Sequence, residues 1–239
     1  MHLTVIIPTY NEKDNIETLV GQLLALPLEV NVIVVDDNSP DGTGAIADRL
    51  AIEHPGRVSV IHRAGKLGLG TAYIAGFKKA LAEGADLICT MDADFSHDPS
   101  YIPALVSKIE EGYDLVIGSR YVRGGGSNQT LPRKALSWGA NTITRVLVGL
   151  HVHDTTAGFR CYRRQVLESL GLDAIRSSGY SFLFEMLFRV ERLGWKVGEV
   201  PIRFQDRRLG ASKVSKNEIV RALKTAMRLA WKRLWGKAV

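Results

Sequence analysis

The residues of this sequence most able to do chemistry are Asp92 and Asp94, which flank Ala93 directly after a short apolar run. Two carboxylates at positions i and i+2 of an extended segment point to the same side. Together they can hold one hard cation, Mg²⁺ or Mn²⁺, with diphosphate oxygens completing its shell. The alternative is a pair of solvated loop aspartates. The place of the triplet, at the end of a predicted strand, favours the metal site.

Two further polar clusters also follow predicted strands. Asn11 and Glu12 come after the first strand, and Asp36 and Asp37 come after the second. Ligands of open α/β sheets bind beyond the carboxyl ends of the strands, so we expect all the acidic clusters at one edge. A cation there would offset their repulsion. The Asp36–Asp37 pair can accept hydrogen bonds from a base or ribose, while Asp41 is expected to cap the following helix.

Four cationic residues are candidates for binding phosphate groups: Arg120, Arg133, Arg207 and Lys213. The guanidinium of arginine suits bidentate phosphate binding, whereas the alternative for each residue is a solvated surface position. The segment 207–213 also contains Gly and Ser, which let a backbone approach phosphates. A phosphate-bearing substrate is therefore the expected ligand.

Other functional classes lack their signatures. Gly68 and Gly70 begin a dinucleotide-like pattern, but Tyr73 stands at the third glycine position, which argues against a nicotinamide dehydrogenase. No Ser-His-Asp or Cys-His hydrolase signature is present. His97 lies beside the carboxylate pair, where we predict a local hydrogen-bonding role; the alternative is a place behind the metal ligands, in contact with them.

The elements that must position these residues alternate between strand-like and helix-like patterns. Strands are predicted at 3–7, 30–35, 58–61, 86–91 and 114–118, and helices at 14–26, 41–51, 70–83 and 99–111. This alternation predicts an α/β fold with a mostly parallel central sheet flanked by helices. Beyond residue 118 we predict a Gly-rich loop at 123–133, helices at 135–150, 180–193 and 217–235, a loop at 154–162 and a late strand at 196–204.

The net charge of +6 belongs to the end of the chain. Residues 207–239 contain ten Lys or Arg and one acidic residue, so the rest of the chain nets −3. Such a tail indicates an anionic surface as partner, and the acidic body together with the absence of a motif argues against nucleic acid.

The last helix is amphipathic, with apolar Ile219, Leu223, Met227, Ala230 and Leu234 opposite basic Arg221, Lys224, Arg228 and Lys232. Both an interfacial membrane helix and a surface helix packed on the sheet fit this pattern.

Length and composition are those of an ordinary single domain. The chain has 239 residues, 46% of them hydrophobic, which is enough for a substantial core. No stretch approaches the apolar length of a transmembrane helix, and no signal peptide is visible, so we expect a cytoplasmic protein that meets a membrane from its surface. Cys89 and Cys161 are expected to be reduced thiols.

Several segments resemble the inverting glycosyltransferase family 2. The widely shared ones are 5–12, 34–43 and 91–94. Further segments are similar to those of dolichyl-phosphate or polyprenol-phosphate mannose synthases, namely 67–73, 95–99, 118–121, 158–163, 199–204 and 207–213. The resemblance covers nearly the whole chain.

The resemblance implies a GT-A fold, which we expect over residues 1–213, and the pattern of the tail predicts a basic amphipathic, membrane-interfacial helix at 214–239. It implies GDP-mannose as donor, a polyprenyl (dolichyl) phosphate as acceptor, and Mg²⁺ or Mn²⁺ as cofactor. It also implies a peripheral place on the cytoplasmic face of a membrane, with a small membrane-anchoring subunit as a further partner. A UDP-glucose-dependent transferase and a non-catalytic module that binds nucleotide or membrane are the alternatives.

The resemblance assigns roles by matching motif positions. The nucleotide sugar is expected at Pro8, Tyr10, Glu12, Val35, Asp37, Asp92, Ala93, Asp94, Ser96, Arg120, Arg207 and Lys213. The metal ligands are Asp92 and Asp94, the catalytic residues are Asp94 and Arg120, and the acceptor phosphate is expected at Arg120, Arg133 and Ser137. Some relatives have a glutamine ligand where this chain has Ser96.

Overall fold

The computed structural model describes residues 1–175, 177, 179–205 and 216–235, with only the helical backbone of 216–219. The strands are β1 (Leu3–Thr9), β2 (Val30–Asp36), β3 (Val58–His62), β4 (Leu87–Thr90), β5 (Leu115–Ser119), β6 (Gly126–Ser127), β7 (Arg160–Arg163), β8 (Val197–Pro201) and β9 (Arg203–Phe204). The helices are α1 (Ile16–Leu24), α2 (Thr43–Glu53), α3 (Leu69–Ala82), α4 (Ile102–Glu110), α5 (Leu131–Val148), α6 (Arg164–Ser169), α7 (Tyr180–Arg192) and α8 (Lys216–Leu234).

Seven of the described strands form one sheet in the order β3-β2-β1-β4-β7-β5-β8. Every neighbouring pair is parallel except the two that β7 makes with β4 and β5. The predicted mostly parallel α/β sheet is thus confirmed. The predicted loop at 154–162 is wrong for its last residues, which belong to β7. Four residues with an arginine at each end are too short to show strand periodicity in the sequence.

Pro8 lies within β1, although the sequence suggested that it ended the strand. On the edge facing β4, the last paired residue of β1 is Ile6, whose carbonyl accepts a hydrogen bond from Met91 N at 3.2 Å. Pro8 is two residues further and faces the same way, beyond the end of β4. Its missing N–H therefore removes no ladder hydrogen bond, and β1 continues to Thr9 along β2.

α5 begins at Leu131, earlier than predicted, so the Gly-rich loop is shorter and Arg133 lies on the helix. Pro132 occupies the first turn of α5, where backbone N–H groups have no partner within the helix, so the missing N–H of proline costs no hydrogen bond. The predicted late strand is divided at Ile202 into β8 and the short β9, which pairs with β6 beside the site.

The core lies on both faces of the sheet, because successive side chains of β1 alternate. Ile6 packs on the side of α3 and α7, whereas Val5 and Ile7 pack on the side of α1, α2 and α4. α3 packs closely on β1 at Gly76, where an added Cβ would lie 2.5 Å from Ile6 Cγ2. These two layers hold the carboxyl ends of the strands at one edge.

The last helix is part of the packed body. α8 contacts α5 and α7, and Ala226 and Leu229 are buried in the core on that side. Arg228 Nη2 donates to the buried carboxylate of Glu185 at 2.7 Å. The apolar residues that the sequence placed on one stripe, such as Leu223 and Met227, are about half exposed. Among the described helices, none combines the length and apolarity needed to cross a bilayer.

Candidate active site

The carboxylate pair lies in a tight turn directly after β4. Asp94 is buried, and its Oδ1 accepts a hydrogen bond from Ser96 N at 3.0 Å. Phe95, between them, has a φ of +58°, a left-handed conformation that L-residues seldom adopt. The side chain of Asp92 is one-third exposed at 33%, and the hydroxyl of Tyr73 lies 3.4 Å from its Oδ1. The turn therefore aims one buried and one accessible carboxylate at the sheet edge.

This turn fits a divalent cation shared with a substrate. The hydroxyl of Ser96 is buried yet makes no hydrogen bond to any described residue, so an oxygen ligand is left over beside Asp94. No group of three or more His, Cys, Asp or Glu side chains that could hold a metal occurs among the described residues. Asp92 and Asp94 can thus hold a hard cation only if diphosphate or water oxygens complete its shell.

His97 supports the turn as a neutral imidazole. Asp92 N donates to His97 Nδ1 at 3.1 Å, so that nitrogen carries no proton. Burial lowers the pKa of His97, and this effect is larger than the opposing effect of the charges of Asp92 and Asp94, which raise it. Its ring stacks on Phe159 with centroids 5.1 Å apart. The predicted local hydrogen-bonding role of His97 is confirmed.

Arg120 follows β5 and is held by a buried carboxylate. Its Nε donates to Asp154 Oδ2 at 2.7 Å, and its Nη2 donates to Asp154 Oδ1 at 2.8 Å and to Thr156 Oγ1 at 3.1 Å. Asp154 is fully buried. Burial lowers the pKa of Arg120, but the ion pair with Asp154 outweighs it and raises that pKa above its usual value. Arg120 is therefore a permanently charged and oriented cation.

Phe204 of β9 brings the arginine and the carboxylate turn together. Its ring centroid lies 5.7 Å from that of His97 and 5.3 Å from the guanidinium carbon of Arg120. His97 is hydrogen-bonded to the backbone N–H of Asp92. Arg120 and the carboxylate turn therefore share one aromatic wall, which Phe204 forms.

A second group of predicted site residues lies at the ends of β1 and β2. Asp37 forms a buried ion pair with Arg63, with Nη1 and Oδ1 3.0 Å apart. Burial raises the pKa of Asp37, partly offset by the charge of Arg63. Tyr10 is exposed, and the ammonium of Lys66 lies 4.2 Å from its ring centroid. An aromatic face and a carboxylate of this kind suit a base and a ribose.

The neighbouring acidic residues have structural roles. Asp36 accepts hydrogen bonds from Thr9 Oγ1 at 3.0 Å and Ser39 N at 3.1 Å, which closes the loop after β2. The N-cap position of α2 is Gly42, so the prediction of Asp41 as cap is wrong by one residue. Asp41 Oδ1 still accepts from Thr43 N at 3.0 Å.

The remaining predicted residues are divided among several environments. Pro8 lies in β1 beside the buried side chain of Val35, so any nucleoside contact of Val35 is a backbone contact. Glu12 accepts from Asn15 Nδ2 at 2.8 Å. Ala93 is buried in the turn.

The predicted acceptor residues other than Arg120 lie on α5. Arg133 is exposed there, while Ser137 is within hydrogen-bonding distance of Tyr121, with hydroxyl oxygens 2.7 Å apart. Arg207 and Lys213 lie outside the described residues.

Sequence reasoning missed Arg63, Asp154 and Asn141. Each acts through a partner far along the chain: Arg63 with Asp37, Asp154 with Arg120, and Asn141 with Thr155. Residue spacing within a short sequence segment does not predict pairs between residues so far apart. The only available signal for Asp154 was a polar run between two apolar patterns, which reads equally well as a loop.

A cavity of about 480 Å³ opens beside Arg120. Its cationic lining comes from Arg120 and Lys134, and its apolar lining includes Leu131, Ala135 and Trp138 of α5. The combination suits a ligand with an anionic head and an apolar tail.

Comparisons with known proteins agree with this geometry. The family model described as Glycosyl transferase family 2 matches residues 4–171. A polyprenol monophosphomannose synthase of Mycolicibacterium smegmatis is 49% identical over 220 residues, 92% of this chain and 83% of that protein. An undecaprenyl-phosphate mannosyltransferase of Micrococcus luteus is 46% identical over 239 residues, 100% of this chain and 95% of that protein.

Solved structures are similar in fold. A glucosyl-3-phosphoglycerate synthase from Mycobacterium tuberculosis, in complex with Mn²⁺, uridine-diphosphate and phosphoglyceric acid, aligns with a TM-score of 0.68 at 18% identity, covering 96% of this chain and 78% of that one. The same enzyme with Mg²⁺ and uridine-diphosphate aligns with a TM-score of 0.69 at 19% identity, covering 96% and 79%. The expected GT-A type of fold is confirmed.

Proposed function

This chain belongs to glycosyl transferase family 2, and we propose that it transfers mannose from GDP-mannose to a polyprenyl phosphate with inversion at the anomeric carbon. Mannosyl transfer to a polyprenyl phosphate follows from its two relatives of 46% and 49% identity, one named for a polyprenol and one for an undecaprenyl phosphate. The GDP-linked donor, the inversion and the residue roles are the further content of the proposal.

The observation that carries the proposal is the position of Arg120. It lines an apolar cavity on one side and shares the Phe204 wall with the carboxylate turn on the other. An acceptor phosphate bound by Arg120 and Lys134 would lie next to a diphosphate bound at Asp92 and Asp94. The apolar lining from α5 would receive the first isoprene units.

The donor would extend from this point toward the ends of β1 and β2. There Tyr10 and Asp37 supply an aromatic face and a carboxylate for the nucleoside, with Glu12 close by. Arg207 and Lys213 stay in the proposal as phosphate-binding residues. Arginine and lysine suit this role because a diphosphate and a phosphate monoester bring several negative charges together.

The proposed cofactor is Mg²⁺ or Mn²⁺ held by Asp92 and Asp94, with the spare hydroxyl of Ser96 beside them. When bound, such an ion neutralises charge on the leaving diphosphate. The protein's own contribution is to hold two carboxylates in a strained turn, so that the site is formed before the donor arrives.

No general base is needed for this acceptor. A phosphate monoester has a second pKa of about 6 and is largely dianionic at neutral pH. Its oxygen can attack C1 of mannose directly; the bond from C1 to the acceptor phosphate forms as the bond from C1 to the nucleoside diphosphate breaks. In-line attack converts an α-linked donor into a β-linked product. Arg120 orients the attacking phosphate and stabilises its charge throughout.

We also propose that α5 and α8 form a membrane-docking face, and that the enzyme is peripheral on the cytoplasmic leaflet. The two helices pack against each other and carry large exposed apolar side chains, among them Leu131 and Leu136 on α5 and Trp231 and Leu234 on α8, with Trp235 directly after it. The basic residues of α8 suit an anionic leaflet. The division at residue 213 and a small membrane-anchoring subunit remain parts of the proposal.

The decisive experiment is transfer of labelled mannose from GDP-mannose to a short polyprenyl phosphate, with Mn²⁺, with Mg²⁺ and with chelator. We expect a metal-dependent lipid-linked mannosyl phosphate, and none from an acceptor whose phosphate is blocked. Product from UDP-glucose but not GDP-mannose would overturn the donor. Binding of nucleotide without transfer to any acceptor would support the non-catalytic module instead.

A further inference from the structure

The buried asparagine of α5 is unusual for a helix that is otherwise largely exposed. Of its 18 residues, only Asn141 and Val148 are buried, and Asn141 is 3% exposed. Burying an amide is unfavourable unless its hydrogen bonds are made. What Asn141 binds therefore explains why a polar residue stands where an apolar one would pack.

Asn141 holds the two residues that flank Asp154. Its Oδ1 accepts hydrogen bonds from Thr155 N at 2.8 Å and from Thr155 Oγ1 at 2.7 Å. Its Nδ2 donates to the carbonyl of His153. One side chain of α5 thus fixes the backbone on both sides of the carboxylate that binds Arg120.

The same short segment is anchored to the sheet by other elements. Glu199 Oε1 on β8 accepts from Asp154 N at 3.1 Å, and the buried Arg160 of β7 donates to the carbonyl of Thr155 at 3.1 Å. These hydrogen bonds connect the segment around Asp154 to strands, which belong to the rigid core. The hydrogen bonds of Asn141 connect the same segment to α5, a surface helix that lines the cavity.

A second contact joins α5 to the residue after Arg120. Ser137, one turn before Asn141, lies 2.7 Å from the hydroxyl of Tyr121. Residues four apart lie on one face of a helix, so Ser137 and Asn141 turn the same side of α5 toward the arginine. A shift of α5 must therefore move the support of Arg120.

We infer that Asn141 is a positioning residue that couples α5 to Arg120 through Asp154. The helix that lines the cavity beside Arg120 thereby sets the orientation of the guanidinium. This inference rests on the proposed role of Arg120 toward the acceptor phosphate. It predicts a defect that is specific to the acceptor, since the nucleoside end lies at β1 and β2.

The test compares four variants of the full chain in the mannosyl-transfer assay. Asn141→Ala removes all three hydrogen bonds, and Thr155→Val removes the hydroxyl bond with little change of shape. Thr155→Ser keeps that hydroxyl. Thr144→Ala is the matched control on α5, because among the described residues the Thr144 hydroxyl bonds only to the helix carbonyl of Ala140, at 2.9 Å.

We expect Asn141→Ala to lower kcat/KM for the polyprenyl phosphate by about tenfold or more, with KM for the donor changed less than about twofold. Thr155→Val should show a smaller loss of the same kind, and Thr155→Ser and Thr144→Ala should behave like the wild type. Amide exchange at residues 153–155 should be faster in Asn141→Ala.

Folded Asn141→Ala and Thr155→Val proteins with unchanged acceptor kinetics would overturn the inference. So would equal losses toward donor and acceptor, which a merely structural role produces. If Asn141→Ala does not fold, the Thr155→Val and Thr155→Ser pair decides. A wild type without transfer would refute the proposed function instead.

Discussion

Asp154 binds the guanidinium of Arg120 at two points, Oδ2 to Nε at 2.7 Å and Oδ1 to Nη2 at 2.8 Å, in a fully buried position. The two carboxylate oxygens of Asp154 bind one edge of the guanidinium, the edge formed by Nε and Nη2. Among the described contacts, Nη1 makes no hydrogen bond, and Arg120 lines the cavity beside α5. The ion pair therefore fixes the direction in which the arginine can bind an anion, at the expense of part of its net charge.

Asp154→Asn tests this pair. The amide keeps the shape of the carboxylate but leaves Arg120 buried without its counter-charge, which costs about 3–5 kcal/mol of stability. We expect transfer to fall by about a hundredfold through misorientation. Urea unfolding and kcat measure the two effects. Asp173→Asn is the control, since Asp173 is 84% exposed in its pair with Lys78 and should change stability by less than about 1 kcal/mol. Wild-type turnover of Asp154→Asn would contradict the role of the pair.

Asp94→Ala should abolish transfer while leaving the fold intact. The substitution removes a proposed metal ligand, and the N–H of Ser96, which loses its acceptor, can hydrogen-bond to water instead. The measurement is labelled mannose transfer over a range of Mn²⁺ concentrations, with thermal unfolding to verify the fold. Asp98→Ala is the matched control, because Asp98 lies in the same loop and, within the part of the chain that the structure describes, its side chain accepts only from Ser100 N, at 2.8 Å. Full activity of Asp94→Ala would exclude Asp94 as a catalytic residue.

The first half of the fold could be predicted because each element carries its own periodicity. β2 appears as an apolar run interrupted by Asn31, since both faces of the sheet are covered, and the carboxylate turn follows β4 as expected. The strand β7 was missed because its place in the sheet depends on tertiary pairing with β4 and β5. The orientation of Arg120 was missed for the same reason: its partner Asp154 is 34 residues away.

Arg63→Gln should weaken donor binding and make stability depend more on pH. Burial already raises the pKa of Asp37, and Arg63 opposes that effect. Without the arginine the pKa of Asp37 rises further, so the protein must bury an unpaired carboxylate once the pH exceeds that pKa. A raised pKa means that stability is present at low pH and lost as the pH rises. The loss relative to wild type should therefore be larger near pH 7 than near pH 4.

Urea unfolding at the two pH values measures that difference, and KM for GDP-mannose measures donor binding. Arg57→Gln is a comparable control, since the side chain of Arg57 bonds the carbonyl of Val30 at 2.8 Å, at the opposite end of β2. A loss of stability in Arg63→Gln that is equal at both pH values would show that Arg63 does not act through the charge of Asp37.

The two cysteines should be inert in the folded protein. Cys89 and Cys161 face each other in the register of β4 and β7, both buried, and burial raises the pKa of Cys89 well above its usual value. A buried thiol with a raised pKa supplies almost no thiolate. We expect a disulfide reagent at pH 8 to label them only on unfolding, at the unfolding rate. Rapid labelling of the native protein would mean that the sheet opens between β4 and β7.

Membrane docking should depend on side chains of α8, and deletion of the helix would be a poor test. Ala226 and Leu229 belong to the core, so deletion would expose the body. Trp231 and Leu234 are 60% and 79% exposed, and Trp231 stacks on Trp235 with centroids 5.2 Å apart. Replacing Trp231 or Leu234 by serine should therefore leave the fold intact.

Each replacement removes about 1.5–3 kcal/mol of apolar burial in a bilayer, roughly a tenfold or greater loss of vesicle affinity. Flotation with vesicles containing anionic lipid measures this. Ile52→Ser is the matched control, because Ile52 is 80% exposed on α2, away from α5 and α8. Equal flotation of all three variants would exclude this part of α8 from docking and favour an anchoring subunit. Transfer to a short acceptor dispersed in detergent should be unaffected, since neither residue touches the carboxylate turn.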